Sequence, residues 1–142
     1  AQFYVGNSYS NLGDYNNAIK AYLIFIDKYK NEEEALPLVY QKLAANYIKA
    51  GKGDEAIKTL NALAQFKNGI FKDTALILEA RYYESAGKQE DAVKKYKELV
   101  KDFPLSPWGA EAKAKTEMEN KLESSQDNKE NEKPAQMTDK LD

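Results

Sequence analysis

Apolar residues recur along this chain at helical spacing, in three similar blocks. In the first, Phe3, Val5, Gly6, Tyr9 and Leu12 precede a glycine, and Tyr15, Ala18, Ile19, Tyr22, Phe25 and Ile26 follow it. In the second, Tyr40, Leu43, Ala44 and Tyr47 lead to Gly51, and Ala56, Ile57, Leu60, Leu63 and Ala64 follow. In the third, Leu76, Ala80 and Tyr83 lead to Gly87, and Ala92, Val93, Tyr96, Leu99 and Val100 follow. Steps of i, i+3, i+4 and i+7 place each set on one face of an α-helix. Each block therefore reads as two helices about a tight turn.

The turn glycines, Gly13, Gly51 and Gly87, stand 38 and 36 residues apart. A period in this range predicts stacked helical hairpins. The residue just past a helix end often takes a positive φ, which glycine adopts without strain. Ala18, Ala56 and Ala92 recur five residues past each glycine, and Gly6, Ala44 and Ala80 are the matching small residues on the first helices. These positions are expected to meet where the two helices cross. Most of the ten tyrosines are expected in the core, with hydroxyls reaching toward water. The fold class is thus all-α, an α-solenoid with units at about 1–32, 37–68 and 73–104.

The connections NEEEALP and NGIFKD fit this plan. Glu32, Glu33 and Glu34 lie near a helix start, where negative charge is favourable. Adjacent carboxylates on a helix diverge, so these three read as solvated rather than as a cation site. Pro37 suits a first helical turn, and Asp73 is the expected N-cap of the next helix. Past Pro104, Ser106 and Pro107 open a helix over about 107–122. Its Trp108, Ala112, Met118 and Leu122 are expected to face the third unit, closing the stack with a polar outer side. Together these elements form a domain over residues 1–122.

Composition then narrows the function. The chain has 142 residues, 42% hydrophobic and 31% charged, and a formal net charge of −2. That balance argues against a nucleic-acid surface. No apolar run is long enough to span a membrane. Residues 123–142 hold six acids, three lysines and almost no large apolar side chains, and read as a disordered acidic tail. The opening AQFYVGNSY lacks an initiator Met and is already patterned as a helix, which reads as a processed or excised piece of a longer protein.

Cysteine and histidine are both absent. Histidine-based nucleophilic catalysis and most zinc sites are thereby excluded. AGKGDE lacks the upstream glycine and the following Ser or Thr of a phosphate loop, and it falls at a repeat turn. The acids sit among lysines on polar helix faces. The expectation is no catalytic residue, no metal and no cofactor.

The Gly13-Asp14-Tyr15 turn with Ala18, and the recurrence of the small, glycine and alanine positions, resemble the tetratricopeptide repeat. The resemblance covers residues 1 to about 104. It departs where the leading tryptophan is replaced by Gln2, Tyr40 and Leu76, and where the terminal proline appears only as Pro104. It implies a non-enzymatic scaffold that binds a peptide or helix of a partner protein on its concave face. The expected lining is Phe3, Asn7 and Ser10; Gln41, Ala45, Ile48 and Lys49; and Ile77, Leu78, Arg81 and Glu84. Alternatively, Ile48, Ile77 and Leu78 pack on a neighbouring unit or on another copy, as in a homo-oligomeric self-assembly module. The carboxylate clamp of some family members maps to Phe3, Asn7, Lys42, Thr74 and Leu78, where only Asn7 agrees, so that mode is rejected.

YKELVKDFPLSPWGAEAKAK, Tyr96 to Lys115, is similar to bacterial envelope repeat proteins, in which a Phe-Pro step precedes a Ser-Pro helix start. The YfgM-like group is the nearest in style, beside BamD and YbgF. That likeness implies a periplasmic repeat domain, an anchor upstream and work beside the secretion channel and chaperones. A cytoplasmic location is the alternative.

Overall fold

The computed structural model describes the backbone of residues 2–139 and the side chains of residues 2–129. Seven α-helices follow one another: α1 (Gln2–Asn11), α2 (Tyr15–Lys28), α3 (Leu36–Lys49), α4 (Gly53–Gln65), α5 (Lys72–Ser85), α6 (Gln89–Asp102) and α7 (Gly109–Asp139). No strand occurs among the described residues. Each helix packs on the next in sequence. The pairs α1–α2, α3–α4 and α5–α6 form hairpins, and α2–α3, α4–α5 and α6–α7 join them into a stack. The result is an all-α solenoid.

The three hairpin turns are built alike. Gly13, Gly51 and Gly87 have φ of +79°, +77° and +75°, with open space where a Cβ would stand. The next backbone N–H in each turn donates back to a tyrosine carbonyl: Asp14 to Tyr9 at 2.9 Å, Lys52 to Tyr47 at 2.8 Å and Lys88 to Tyr83 at 2.8 Å. This six-to-one bond with a left-handed glycine satisfies carbonyls that a helix end otherwise leaves bare. Only in the first turn does a side chain add to it, as Asp14 accepts from the Asn17 backbone N–H.

Ala18, Ala56, Ala80 and Ala92 are fully buried, and Ala44 nearly so. The expected meeting of small with small is corrected in one respect. A Cβ on Gly6 would lie 2.6 Å from the Tyr22 ring, so the small residue makes room for the large side chain four residues past the alanine. Ala80 shares a core cluster with Tyr96, and Ala44 with Leu60. The tyrosine hydroxyls also differ from expectation. Tyr22 donates to Asn7 Oδ1 at 2.6 Å and Tyr96 to Glu84 Oε2 at 2.6 Å, because rings this deeply buried need a partner inside the fold. Tyr4 and Tyr9 are exposed rather than core.

Three connections are also corrected. Asp73 lies one residue inside α5 instead of capping it, and its carboxylate accepts from Thr74 N–H and Ser106 Oγ. That second bond ties the turn after α6 to the start of α5. Helix α7 opens at Gly109, after a turn through Ser106 and Pro107, and Ser106 Oγ accepts from Trp108 N–H. Between α4 and α5, Lys67 and Asn68 take left-handed φ of 45° and 60° before Gly69. The 2.7 Å ion pair of Lys67 with Glu33 crosses from this turn to the α2–α3 connection.

Ala112 and Trp108 pack on the third hairpin, but Met118 and Leu122 are exposed. α7 leaves the surface of α6 before it reaches them. The backbone stays helical to Asp139, where a disordered tail is expected; Lys140 to Asp142 lie outside the described residues.

Two stability measurements test this account. Gly6→Ala removes a mid-helix glycine, worth up to about 1 kcal/mol by propensity alone. The buried ring reverses the sign: overpacking costs roughly 1–3 kcal/mol, so urea unfolding should show a net loss. In a Tyr22→Leu background, which copies the Ala44–Leu60 pairing, the same Gly6→Ala change should cost much less. Asn68→Gly should instead change stability little, within about 0.5 kcal/mol, because asparagine already tolerates the left-handed region.

Candidate functional site

Helices α3 and α5 lie on the same side of the stack and enclose a groove of about 240 Å³. Gln41, Ala44, Ala45 and Ile48 line it from α3, at i, i+3, i+4 and i+7. Leu78, Arg81, Tyr82 and Ser85 repeat the same spacing on α5. Leu60 of α4 forms the floor. The two stripes face each other because each helix crosses its hairpin partner through the small residue, Ala44 or Ala80.

The groove exists where the second hairpin departs from the other two. Counted from the turn glycines, Asn7, Ala45 and Arg81 are equivalent, as are Ser10, Ile48 and Glu84. In the first and third hairpins the tyrosine hydroxyl reaches one of these positions, Asn7 or Glu84. Leu60 replaces that tyrosine and stops short. The space a ring would fill is left open beneath Ala45 and Ile48, and with no hydroxyl there the lining stays apolar.

The α5 end of the groove is polar. Arg81 forks onto Glu111 of α7, with Nη2 to Oε2 at 2.6 Å and Nε to Oε1 at 3.3 Å. Its guanidinium also lies 5.3 Å from the centre of the Trp108 ring. The bond to Glu111 raises the Arg81 pKa above its ordinary value. Beside it, Glu84 accepts from Lys115 and from the Tyr96 hydroxyl. Those two bonds, that from Lys115 first, lower the Glu84 pKa below its ordinary 4.5. Burial and the Glu84 bond hold the Tyr96 hydroxyl well above the usual tyrosine range. The clamp carries two positive and two negative groups and so presents no net charge.

Of the residues expected to line a concave face, the structure brings five together in the groove: Gln41, Ala45, Ile48, Leu78 and Arg81. The others lie elsewhere. Phe3 packs on the first hairpin's core, its ring centre 6.4 Å from that of Tyr22 and 6.2 Å from that of Phe25. Asn7 is held by the Tyr22 hydroxyl. Ser10 is half-buried on α1, outside the groove. Lys49 turns toward the Tyr15 ring. Ile77 is fully buried between helices. Glu84 sits in the clamp rather than the groove. Ala44, Leu60, Tyr82 and Ser85 are lining residues that the sequence reading did not include. Leu60 carried a signal, its place in the tyrosine column. Tyr82 is set by its packing over Gly53, where an added Cβ would lie 1.7 Å from its hydroxyl.

Arg81, the charged side chain lining the groove, is held by Glu111. The most buried carboxylate, Glu79, is paired with Lys95 Nζ at 2.9 Å between α5 and α6, away from the groove. Burial, the largest single influence, pulls the Lys95 pKa down, but the hydrogen bond to Glu79 together with the charges of Glu79, Glu98 and Tyr83 leaves it raised. Among the described residues, no cluster of acids could hold a metal ion. No described helix is long and apolar enough to cross a membrane.

The tetratricopeptide repeat family model matches residues 1–32 and 74–106. Those stretches cover the first and third hairpins and leave the second, with Leu60 in the tyrosine place, between them. The chain is therefore similar to a family whose repeats form protein-interaction surfaces. No curated protein sequence matches the chain.

The clamp has a measurable pH signature. Glu84 has a folded pKa lowered by Lys115 and Tyr96, so its contribution is complete above the unfolded value near 4.5 and fades as pH falls through the lower folded value. Melting temperatures of the wild-type chain and Glu84→Gln, followed from pH 7 down to pH 3, should be separated at neutral pH and converge in that acid range. A gap that stays constant would remove Glu84 from the linkage.

Proposed function

We propose that this chain is a non-enzymatic scaffold whose α3–α5 groove binds an extended peptide or an amphipathic helix of a protein partner. One observation carries the reading: an apolar slot between two facing helical stripes, opened by Leu60 and bordered by a charge-neutral clamp. Such a slot suits one or two apolar anchor side chains, with polar contacts from Gln41, Arg81 and Ser85 at its edges. The likeness to tetratricopeptide repeats supports a partner-binding role.

We place this scaffold in the bacterial envelope, in the periplasm, as a YfgM-like companion of the secretion channel and its chaperones. The Phe103-Pro104 step followed by Ser106-Pro107 and Trp108 supports that placement. A second reading is homo-oligomeric self-assembly, with the free length of α7 from one copy entering the groove of another. It is favoured by the exposure of Met118 and Leu122 on that helix.

The groove is tested by filling it. Leu60→Tyr copies the residue that the other two hairpins carry at this place, so the fold should persist with an unchanged circular dichroism spectrum. Peptides selected from a displayed library on the wild-type chain should bind Leu60→Tyr and Ile48→Asp at least about tenfold more weakly, which is about 1.4 kcal/mol. Equal affinity by calorimetry would refute the groove. Light scattering over a hundredfold range of concentration separates the second reading: a constant monomer mass rules out self-assembly.

A further inference from the structure

The outer face of α1 is bare. Tyr4, Val5, Ser8, Tyr9 and Leu12 line a shallow depression of about 260 Å³ there. Tyr4 is 73% exposed and Leu12 82%. From Gln2 to Leu12 there is no charged residue. A helix face so apolar and so free of charge is unusual on an open surface, and tyrosine is favoured at interfaces.

The repeat shows what belongs on it. Counted back from the turn glycines, Val5 is equivalent to Leu43, Ser8 to Asn46 and Tyr9 to Tyr47. On α3 all three equivalents are buried. They are covered by α2, the second helix of the hairpin before: Leu43 and Tyr47 share one core cluster with Ile19, Tyr22 and Phe25. On α5 the equivalent of Ser8, Tyr82, sits over Gly53 of α4, while Glu79 and Tyr83, at the places of Val5 and Tyr9, are engaged on the α6 side. Only on α1 does the face lack its helix. The three second helices of this chain cannot supply it from another copy, since α2 is covered by α3, α4 by α5 and α6 by α7.

We propose that the outer face of α1 is a docking site for the second helix of a further helical hairpin lying outside these 142 residues. The occupant is an amphipathic helix with an apolar stripe like that of Ile19, Leu23 and Ile26 on α2, and with no charge directed at α1. It continues the packing that α2–α3 and α4–α5 already show. The site is separate from the α3–α5 groove and stands whether or not that groove binds a peptide.

The experiment supplies the missing helix. A copy of residues 13–38 is fused directly ahead of Ala1, which puts Ala1 in the register of Val39. The thermal midpoint should rise by several degrees, and the α1 amides should become strongly protected from hydrogen exchange. A control fusion with the copied Ile19, Leu23 and Ile26 changed to Ser should keep the unfused midpoint and exchange. Leu12→Lys should abolish the gain in the fusion while leaving the unfused chain unchanged, because Leu12 is exposed there. The proposal is overturned if α1 exchanges equally fast in the fusion and its control. It is also overturned if the unfused chain dimerises in solution and Leu12→Lys makes it monomeric, since a second copy then covers this face.

Discussion

The structure depends on one steric constraint, repeated three times: a large side chain on the second helix of each hairpin must fit against a small residue on the first. Tyr22 against Gly6 is the tightest case, with no room for even a methyl group. This contact sets how closely two helices approach, and the tyrosine-to-turn hydrogen bond sets where the chain reverses. With distance and reversal both fixed, each hairpin presents the same outer faces to its neighbours. Stacking then follows by burial of those faces, and the order of the helices in space follows their order in sequence.

Variation on that constraint produces the candidate site. Two hairpins use tyrosine and terminate its hydroxyl on the inner face of the stack, at Asn7 and Glu84. Those hairpins spend their inner-face polar groups on themselves. The middle hairpin uses Leu60, leaves a void and has no hydroxyl to satisfy. The apolar slot between α3 and α5 and the ring-to-aliphatic change at Leu60 are the same event seen in structure and in sequence. The capping helix completes the boundary, because Glu111 and Lys115 engage Arg81 and Glu84 and keep the slot from extending toward α7.

Spacing made the hairpins, turns and crossing residues legible. Glycine at 38- and 36-residue intervals and alanine five residues later admit few other arrangements. Facing was harder. One residue on a helix is a turn of about 100°, so Ile77 and Leu78 look alike in sequence while one is core and the other groove. Phe3 and Asn7 were displaced for a different reason: both serve the first hairpin's own packing, Phe3 beside Tyr22 and Phe25 and Asn7 under the Tyr22 hydroxyl. In the left-handed turn, Asn68 before Gly69 carried a signal, but Lys67 carried none, since lysine does not favour that conformation.

The charges around the groove bear on how recognition would operate. Arg81 with Glu111 and Lys115 with Glu84 cancel in pairs, so the clamp contributes little long-range field to steer a ligand. Discrimination must then come from the fit of an apolar anchor over Leu60 and from short-range hydrogen bonds at the rim. A ligand group that competes for Arg81 must first displace Glu111, leaving a half-buried carboxylate to be solvated or paired again. Binding through Arg81 would therefore loosen the hold of α7 on α5, and binding through the apolar slot would not. On the proposed binding mode, a ligand that only anchors and one that also releases the capping helix would be told apart in this way.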